Sequence, residues 1–351
     1  MLVIVMARLV LVCGVVMATL ALSPVPASAH PGTIQLAVDY RTRVTAVAPH
    51  LAGVEVRFVA DGSKLELRNA SGRTVEVLGY QGEPWLQVRA DGVWINARSP
   101  SQWLDLPDGP QKSAADANAA PEWQRSSGET YARWHDHRTV WHGNAPPQVR
   151  ADPDQEHRIR DWTVPLRAGD ETSQITGTLD WLPPPLAGTW WALALIAAAA
   201  IVFLGIRTRL HLVLAGVALV TGLTAVVAAV LLVAANVTPT VGGWAAALAS
   251  EVIPILTGLA MCAAGAAAIA RRPAADFGFA FTGITVAVFS GFANTALFSH
   301  AVPPVPADGV WARLAELIVL AGGVGLAVVG VVRMFRRQPA TPAPQPPPAA
   351  G

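Results

Sequence analysis

The chain is short of charge, of cysteine and, through its first half, of methionine, and each shortage excludes something. Only 14% of its 351 residues are Asp, Glu, Lys or Arg, while 52% are apolar. That balance is too apolar for a wholly water-soluble protein. No basic stripe or nucleic-acid module is present, which sets nucleic acid aside as a partner. The two cysteines are Cys13, near the start, and Cys262, inside an apolar run. Residues 30–188 therefore have no disulfide to form and must hold together by their own core. Every methionine also falls outside residues 30–188. This removes the thioether ligand of blue-copper electron carriers and of Met-rich Cu(I) shuttles. The Gly-rich phosphate loop, the Gly-x-Ser-x-Gly elbow and the His-Glu-x-x-His helix are missing too. Acidic residues are scattered, so no catalytic residue is singled out.

What is present divides into segments. Residues 1–29 read as a signal peptide. Arg8 is the one charge, Leu9 to Leu22 are apolar, Pro24 and Pro26 break the run, and Ala27-Ser28-Ala29 supplies the small residues of a cleavage site. The alternative is a retained first transmembrane helix. Cleavage after Ala29 makes His30 the N-terminal residue. Pro31 has no backbone N–H, so a metal there would be chelated by the α-amine and the His30 ring. An α-amine titrates at about 7.7–8.0, low enough for a metal to displace its proton near neutrality.

Residues 30–182 predict a β domain. Val54–Val59, Lys64–Arg68, Thr74–Leu78, Pro84–Arg89 and Val93–Asn96 alternate, with turns at Asp61-Gly62, Ser71-Gly72 and Asp91-Gly92. Arg158–Pro165 and Gln174–Trp181 look like closing strands. Short alternating runs of this kind predict a β-sandwich, cupredoxin-like or Ig-like. Residues 183–186 form a Pro-rich linker. Five apolar spans follow, at about 187–206, 212–235, 244–270, 277–299 and 310–332, each long enough to cross a bilayer. They predict an all-α five-helix transmembrane domain. Residues 30–188 carry a net charge of −4 and residues 189–351 one of +4. Arg207, Arg209, Arg271, Arg272, Arg333, Arg336 and Arg337 occupy alternate interspan positions, whereas 236–243 and 300–309 contain no Lys or Arg. The expected topology therefore has the β domain outside the cell membrane and residues 333–351, a Pro/Ala-rich tail, in the cytoplasm.

Three of the eight histidines crowd into residues 135–142. On a strand, His135 and His137 would share a face and Asp136 would point away. With His30 they make an all-nitrogen set that suits Cu(II), with zinc as the other possibility. His142 and Asp136 are the candidate extra ligands. The alternative is a surface turn in which Trp134 and Trp141 pack the core and the histidines bind nothing. Within the spans, Glu251, Asn294, His300 and Glu316 fall in one leaflet and form a candidate intramembrane polar site. Alternatively, Glu316 pairs with Arg313 one turn away and Glu251 reaches water. Gly258, Cys262 and Ala266, like Ala321 and Gly325, have the spacing of close helix packing.

A mature N-terminal histidine and the later Arg133-Trp134-His135-Asp136-His137, in a β ectodomain with membrane spans, resemble the copper-binding, cupredoxin-bearing subunit of the particulate methane and ammonia monooxygenases. The resemblance implies His30, His135 and His137 as copper ligands. That family has two cupredoxin-like domains and fewer spans, so copper binding, and not oxygenase activity, is what it implies here. Val75–Pro84, Gly92–Asn96 and Trp134–Arg138 are also similar to a family of actinobacterial membrane proteins with an exported β ectodomain. The expected function is copper sequestration, delivery or sensing at the cell envelope. A second is an envelope protein whose ectodomain binds a protein partner without metal. A third is a transporter using Glu251, Asn294, His300 and Glu316.

Overall fold

A computed structural model describes residues 38–59, 64–104, 115–207, 210–236, 241–305 and 307–337. The expected signal peptide, His30 and the tail from residue 338 on lie outside them. Ten strands come first: β1 (Tyr40–Ala48), β2 (Val54–Val59), β3 (Lys64–Asn69), β4 (Val75–Leu78), β5 (Pro84–Arg89), β6 (Gly92–Asn96), β7 (Trp123–Ser127), β8 (Tyr131–Trp134), β9 (His157–Ala168) and β10 (Glu171–Trp181). A five-residue helix, α1 (Pro147–Ala151), lies between β8 and β9. One sheet has the order β1-β10-β9-β4-β5-β6-β7 and the other β2-β3-β8. Every pairing in both is antiparallel, and both sheets are open.

The alternating runs become strands because their inward side chains share a single core. Leu65 and Leu67 of β3, Val54 of β2 and Trp134 of β8 pack with Val75, Val77, Leu86, Val88, Val164, Leu166, Ile175 and Leu179 of the larger sheet. Each such aliphatic side chain contributes about 1.5–3 kcal/mol when fully buried. That core replaces the disulfide the region cannot make. On β3, Glu66 lies between two core leucines and is itself 0% exposed. Its carboxylate meets Arg57 of β2 at 2.8 Å, Arg68 at 2.8 Å and Arg133 of β8 at 2.6 Å. Burial alone would raise its pKa, but the hydrogen bonds from Arg68, Arg133 and Arg57 outweigh it and hold the group below the usual carboxylate value. Glu66 thereby ties β2, β3 and β8 together just before the histidine stretch begins.

The helices are α2 (Ala187–Gly205), α3 (His211–Asn236), α4 (Val241–Ile269), α5 (Ala275–Val286) and α6 (Gly309–Arg337). α5 continues through a π turn at Ala287–Gly291 and a 3-10 stretch at Phe292–Phe298. Five segments, Ala187–Gly205, His211–Ala235, Gly242–Ile269, Ala275–Phe298 and Gly309–Arg336, have the length and apolarity to cross a bilayer, as in a multi-pass membrane protein. Small residues let them approach. A Cβ on Gly222 of α3 would lie 2.5 Å from the Gly258 carbonyl of α4, and one on Gly325 of α6 would lie 2.8 Å from Ile201 of α2. α6 is the most enclosed of the five.

The β region joins the helical half near β1 and the α5–α6 connection. Val38 and Val302 exchange backbone hydrogen bonds at 3.2 and 2.8 Å. Asp39 accepts from His300 Nδ1 at 2.9 Å and from the Ala301 N–H at 2.8 Å. At the other end of the bundle, Arg333 donates to the carbonyls of Gly205 at 2.7 Å and Arg207 at 3.0 Å, and lies 3.6 Å from Asp276. The described interspan arginines thus gather at the end of the helices away from the strands.

Replacing Glu66 by Ala leaves Arg133, whose side chain is only 14% exposed, without its counter-charge. Thermal unfolding of the purified chain should show a loss of about 3 kcal/mol, the low end for a broken buried pair because Arg57 and Arg68 are half in water.

Candidate metal centre

Strand β8 ends at Trp134. The histidine stretch is therefore a loop, and strand alternation does not place its rings. What sets the loop is Asp136, which is 0% exposed. Its Oδ2 accepts from Trp134 Nε1 at 3.0 Å and Arg138 Nη2 at 2.8 Å. Its Oδ1 accepts from the backbone N–H and Nε of Arg138 at 3.0 and 2.9 Å. Both oxygens are thus engaged with the domain, which corrects the expectation of Asp136 as an extra ligand. Burial by itself would raise the Asp136 pKa, but the Arg138 hydrogen bonds and charge, with Trp134 behind them, lower it below the usual carboxylate value.

Further contacts fix the loop from outside. The Arg138 guanidinium reaches the Leu78 carbonyl at 3.3 Å and lies 4.7 Å over the Tyr80 ring. The Tyr80 hydroxyl accepts the His137 backbone N–H at 2.8 Å. Tyr80 is held in turn by its own N–H, which donates to Ser101 Oγ at 2.9 Å, while Ser101 and Ser99 donate to buried Glu83. Burial alone would raise the Glu83 pKa, but these hydroxyl bonds outweigh it and lower it. Arg160 of β9 donates to the carbonyls of His137 and Val140, and Trp141 Nε1 donates to Asn144 O at 2.9 Å.

The result is three imidazoles gathered from eight residues. Each of His135, His137 and His142 offers a ring nitrogen, and all these atoms lie within 4.8 Å of one another. The ring centroids are 5.3 Å apart for His135 and His137, 6.2 Å for His135 and His142, and 4.3 Å for His137 and His142. His142 is exposed and the other two are half-buried, so the triad opens to solvent. His142 is thus a full member of the group and not an outlying extra. Sequence reasoning did not identify Tyr80, Arg138 and Arg160 as residues that position it. Asp136-x-Arg138 beside an indole was the available sign. His30 lies outside the described residues.

The four intramembrane candidates do not form one described site. Asn294 donates to the Ser290 carbonyl of its own segment at 2.7 Å. His300 belongs to the Asp39 junction. Glu251 is half-buried on α4. Glu316 is buried on α6, and its expected partner Arg313 instead donates to the carbonyls of Leu297 at 3.0 Å, His300 at 2.8 Å and Ala301 at 3.0 Å. The Leu297 carbonyl lies in the last turn of the 3-10 segment and those of His300 and Ala301 in the connection after it, where no helix supplies donors, which makes them strong competitors for the guanidinium.

No protein-family model, curated protein or solved structure matches the chain. What the triad can do chemically therefore follows from its own geometry.

Replacing Asp136 by Asn leaves the Arg138 charge, whose side chain is 19% exposed, without its partner and should cost about 3 kcal/mol. Because the folded-state pKa is lowered, the carboxylate's contribution is complete above about pH 4 and disappears only as pH falls through the lower folded value. Thermal unfolding of the two forms should therefore differ at neutral pH and converge in strong acid.

Proposed function

We propose that the chain is a membrane-anchored metal-binding protein with His135, His137 and His142 as its centre, Cu(II) as the preferred ion and Zn(II) as the competitor. One observation carries this: three ring nitrogens lie within 4.8 Å on a loop whose backbone is tied by a buried ion pair. Imidazole is the ligand these ions favour, and soft thiolate or thioether ligands are missing from the β region. Metal–nitrogen bonds of about 2.0–2.1 Å put tetrahedral ligand nitrogens about 3.3 Å apart. The rings in this proposal rotate about χ1 and χ2 to reach that spacing. In this proposal His30, once freed by signal cleavage, completes the set through its amine and ring. The resemblance of this histidine pattern to the copper site of the particulate monooxygenases supports His30, His135 and His137 among these ligands.

The two open sheets share one core, which supports a cupredoxin-like or Ig-like sandwich. Gathering of the arginines at the end of the bundle away from the strands supports the β region outside and the C-terminus in the cytoplasm, by the positive-inside rule. Such a protein would sequester, deliver or sense copper at the cell envelope.

Titration of the processed full chain with Cu(II) tests the centre. One equivalent should bind, and His135→Ala, His137→Ala and His142→Ala should each weaken binding at least about tenfold, the scale that even outer partners of metal ligands carry. Binding unchanged from that of the unsubstituted chain in all three variants would remove the centre and leave an envelope domain that recognises a protein partner. Adding one residue before His30 should weaken binding further if the N-terminus completes the set.

A further inference from the structure

Glu316 is 4% exposed, and its Oε1 has no hydrogen-bond partner. The helix around it shows where it sits. Arg313, Glu316, Leu320, Gly323, Ala327 and Gly330 recur at three- and four-residue spacing, one face of α6. The other five all meet the α5 segment. Arg313 reaches the Leu297 carbonyl at 3.0 Å. A Cβ on Gly291 would lie 3.0 Å from Leu320, one on Gly323 2.9 Å from Ala287 N, one on Gly283 2.5 Å from Ala327 N, and one on Gly330 closer still to Ala280 N. Facing residue numbers run in opposite directions, so Glu316 falls between Gly291 and Leu297, at the level of Asn294. Seven residues from the start of α6 place it about 10 Å into the helix from the β-side end.

The opposing backbone at this level is not α-helical. The π turn Ala287–Gly291 gives way to the 3-10 stretch Phe292–Phe298, and π turns of this kind often mark functional sites. Ser290 Oγ is also buried without a partner, and Asn294 donates to the Ser290 carbonyl. Among the described residues Glu316 makes no ion pair, although Arg313 lies one turn away on the same face. Arg313 is engaged by three carbonyls. α2 has no titratable side chain, and α3 has His211 alone, at its first residue. α4 has Glu251, of the same sign, and Cys262, which bonds toward Leu219 of α3. Asp276 of α5 is at the far end beside Arg333, and His300 is engaged with Asp39.

We propose that Glu316 is an intramembrane proton-binding site, exchanging H⁺ with the β-side surface through the irregular backbone of residues 287–298. The step is a proton transfer alone: a carboxylate oxygen takes H⁺ from water and returns it. A buried carboxylate in a membrane needs a proton, a cation or a counter-charge, and broken helices lining a polar gap are how membrane proteins admit small ions. The helical half is then more than an anchor. This site does not depend on the imidazole triad.

Dicyclohexylcarbodiimide, an apolar reagent whose reaction begins at a protonated carboxyl, tests the site on the unsubstituted full chain in lipid vesicles. Peptide mass spectrometry should find the N-acylurea on Glu316, and its yield, normalised to reagent decay, should fall at least about tenfold between about pH 6 and about pH 9. The adduct should be absent in Glu316→Gln and retained in Glu316→Asp. Absence of the adduct at every pH would overturn the proposal. So would a yield that does not change with pH, which describes a permanently neutral structural carboxyl, or a pH-independent yield suppressed by divalent cations, which describes a metal site.

Discussion

The imidazole triad depends on one buried carboxylate. Asp136 sits inside the β region with both oxygens engaged, and what engages them is local: the Trp134 indole two residues before and the Arg138 guanidinium two residues after. A buried anion is tolerable only when such partners have good geometry, because each missing one leaves a desolvated charge. The backbone around residue 136 therefore has little choice. With Asp136 turned inward, His135 and His137 on either side are turned outward, and the turn closed by the Thr139 hydroxyl on the Asp136 carbonyl at 2.8 Å sends the chain back toward His142. The three rings converge because the residue between two of them cannot leave the core.

That anchor is continuous with the rest of the strands. Trp134 packs edge-on against Trp85, Trp85 against Tyr80, and Tyr80 against His137, with ring centroids 6.3, 6.0 and 6.2 Å apart. The loop thus leans on the same aromatic body that fills the core, and Glu83 with its two serines fixes the turn that carries Tyr80. Asp39 and Val38 couple the first strand to the connection between α5 and α6. Arg313 ends that connection by taking up three of its carbonyls. Strand region and helices are consequently linked by hydrogen bonds as well as by the covalent path through Pro183–Pro185.

Much of this was legible in the sequence wherever one physical signal dominated. The five apolar spans were read to within a few residues because no soluble helix needs such length without charge. The strands from β2 to β6 were legible because period-two alternation continued between glycine turns. β1 was not singled out, since the register shift between Val44 and Ala46 breaks its alternation. β7, with the sequence Trp-Gln-Arg-Ser-Ser, buries too little to alternate at all. The histidine cluster was visible as composition; of the two readings of its geometry the strand failed, because nothing in the residue pattern shows that β8 stops at Trp134, while a turn with Trp134 and Trp141 against the core is what the structure has. The Glu316–Arg313 pairing failed for a different reason. Spacing along one helix cannot reveal that carbonyls from another segment compete for the guanidinium.

Two buried carboxylates therefore mark opposite solutions to the same problem. Asp136 is surrounded by donors that arrive with the fold, so its charge serves to hold a loop still, with His135 and His137 on either side of it. Glu316 lies in the more hostile solvent, yet the cation one turn away is taken up by carbonyls of Leu297, His300 and Ala301, and the facing backbone runs from a π turn into a 3-10 stretch. A fold that merely needed an apolar contact at that position would use leucine, as it does four residues later at Leu320. Retaining a carboxyl there imposes a cost that no described partner offsets. A proton exchanging at that oxygen would offset it and give the irregular turn at residues 287–291 a purpose.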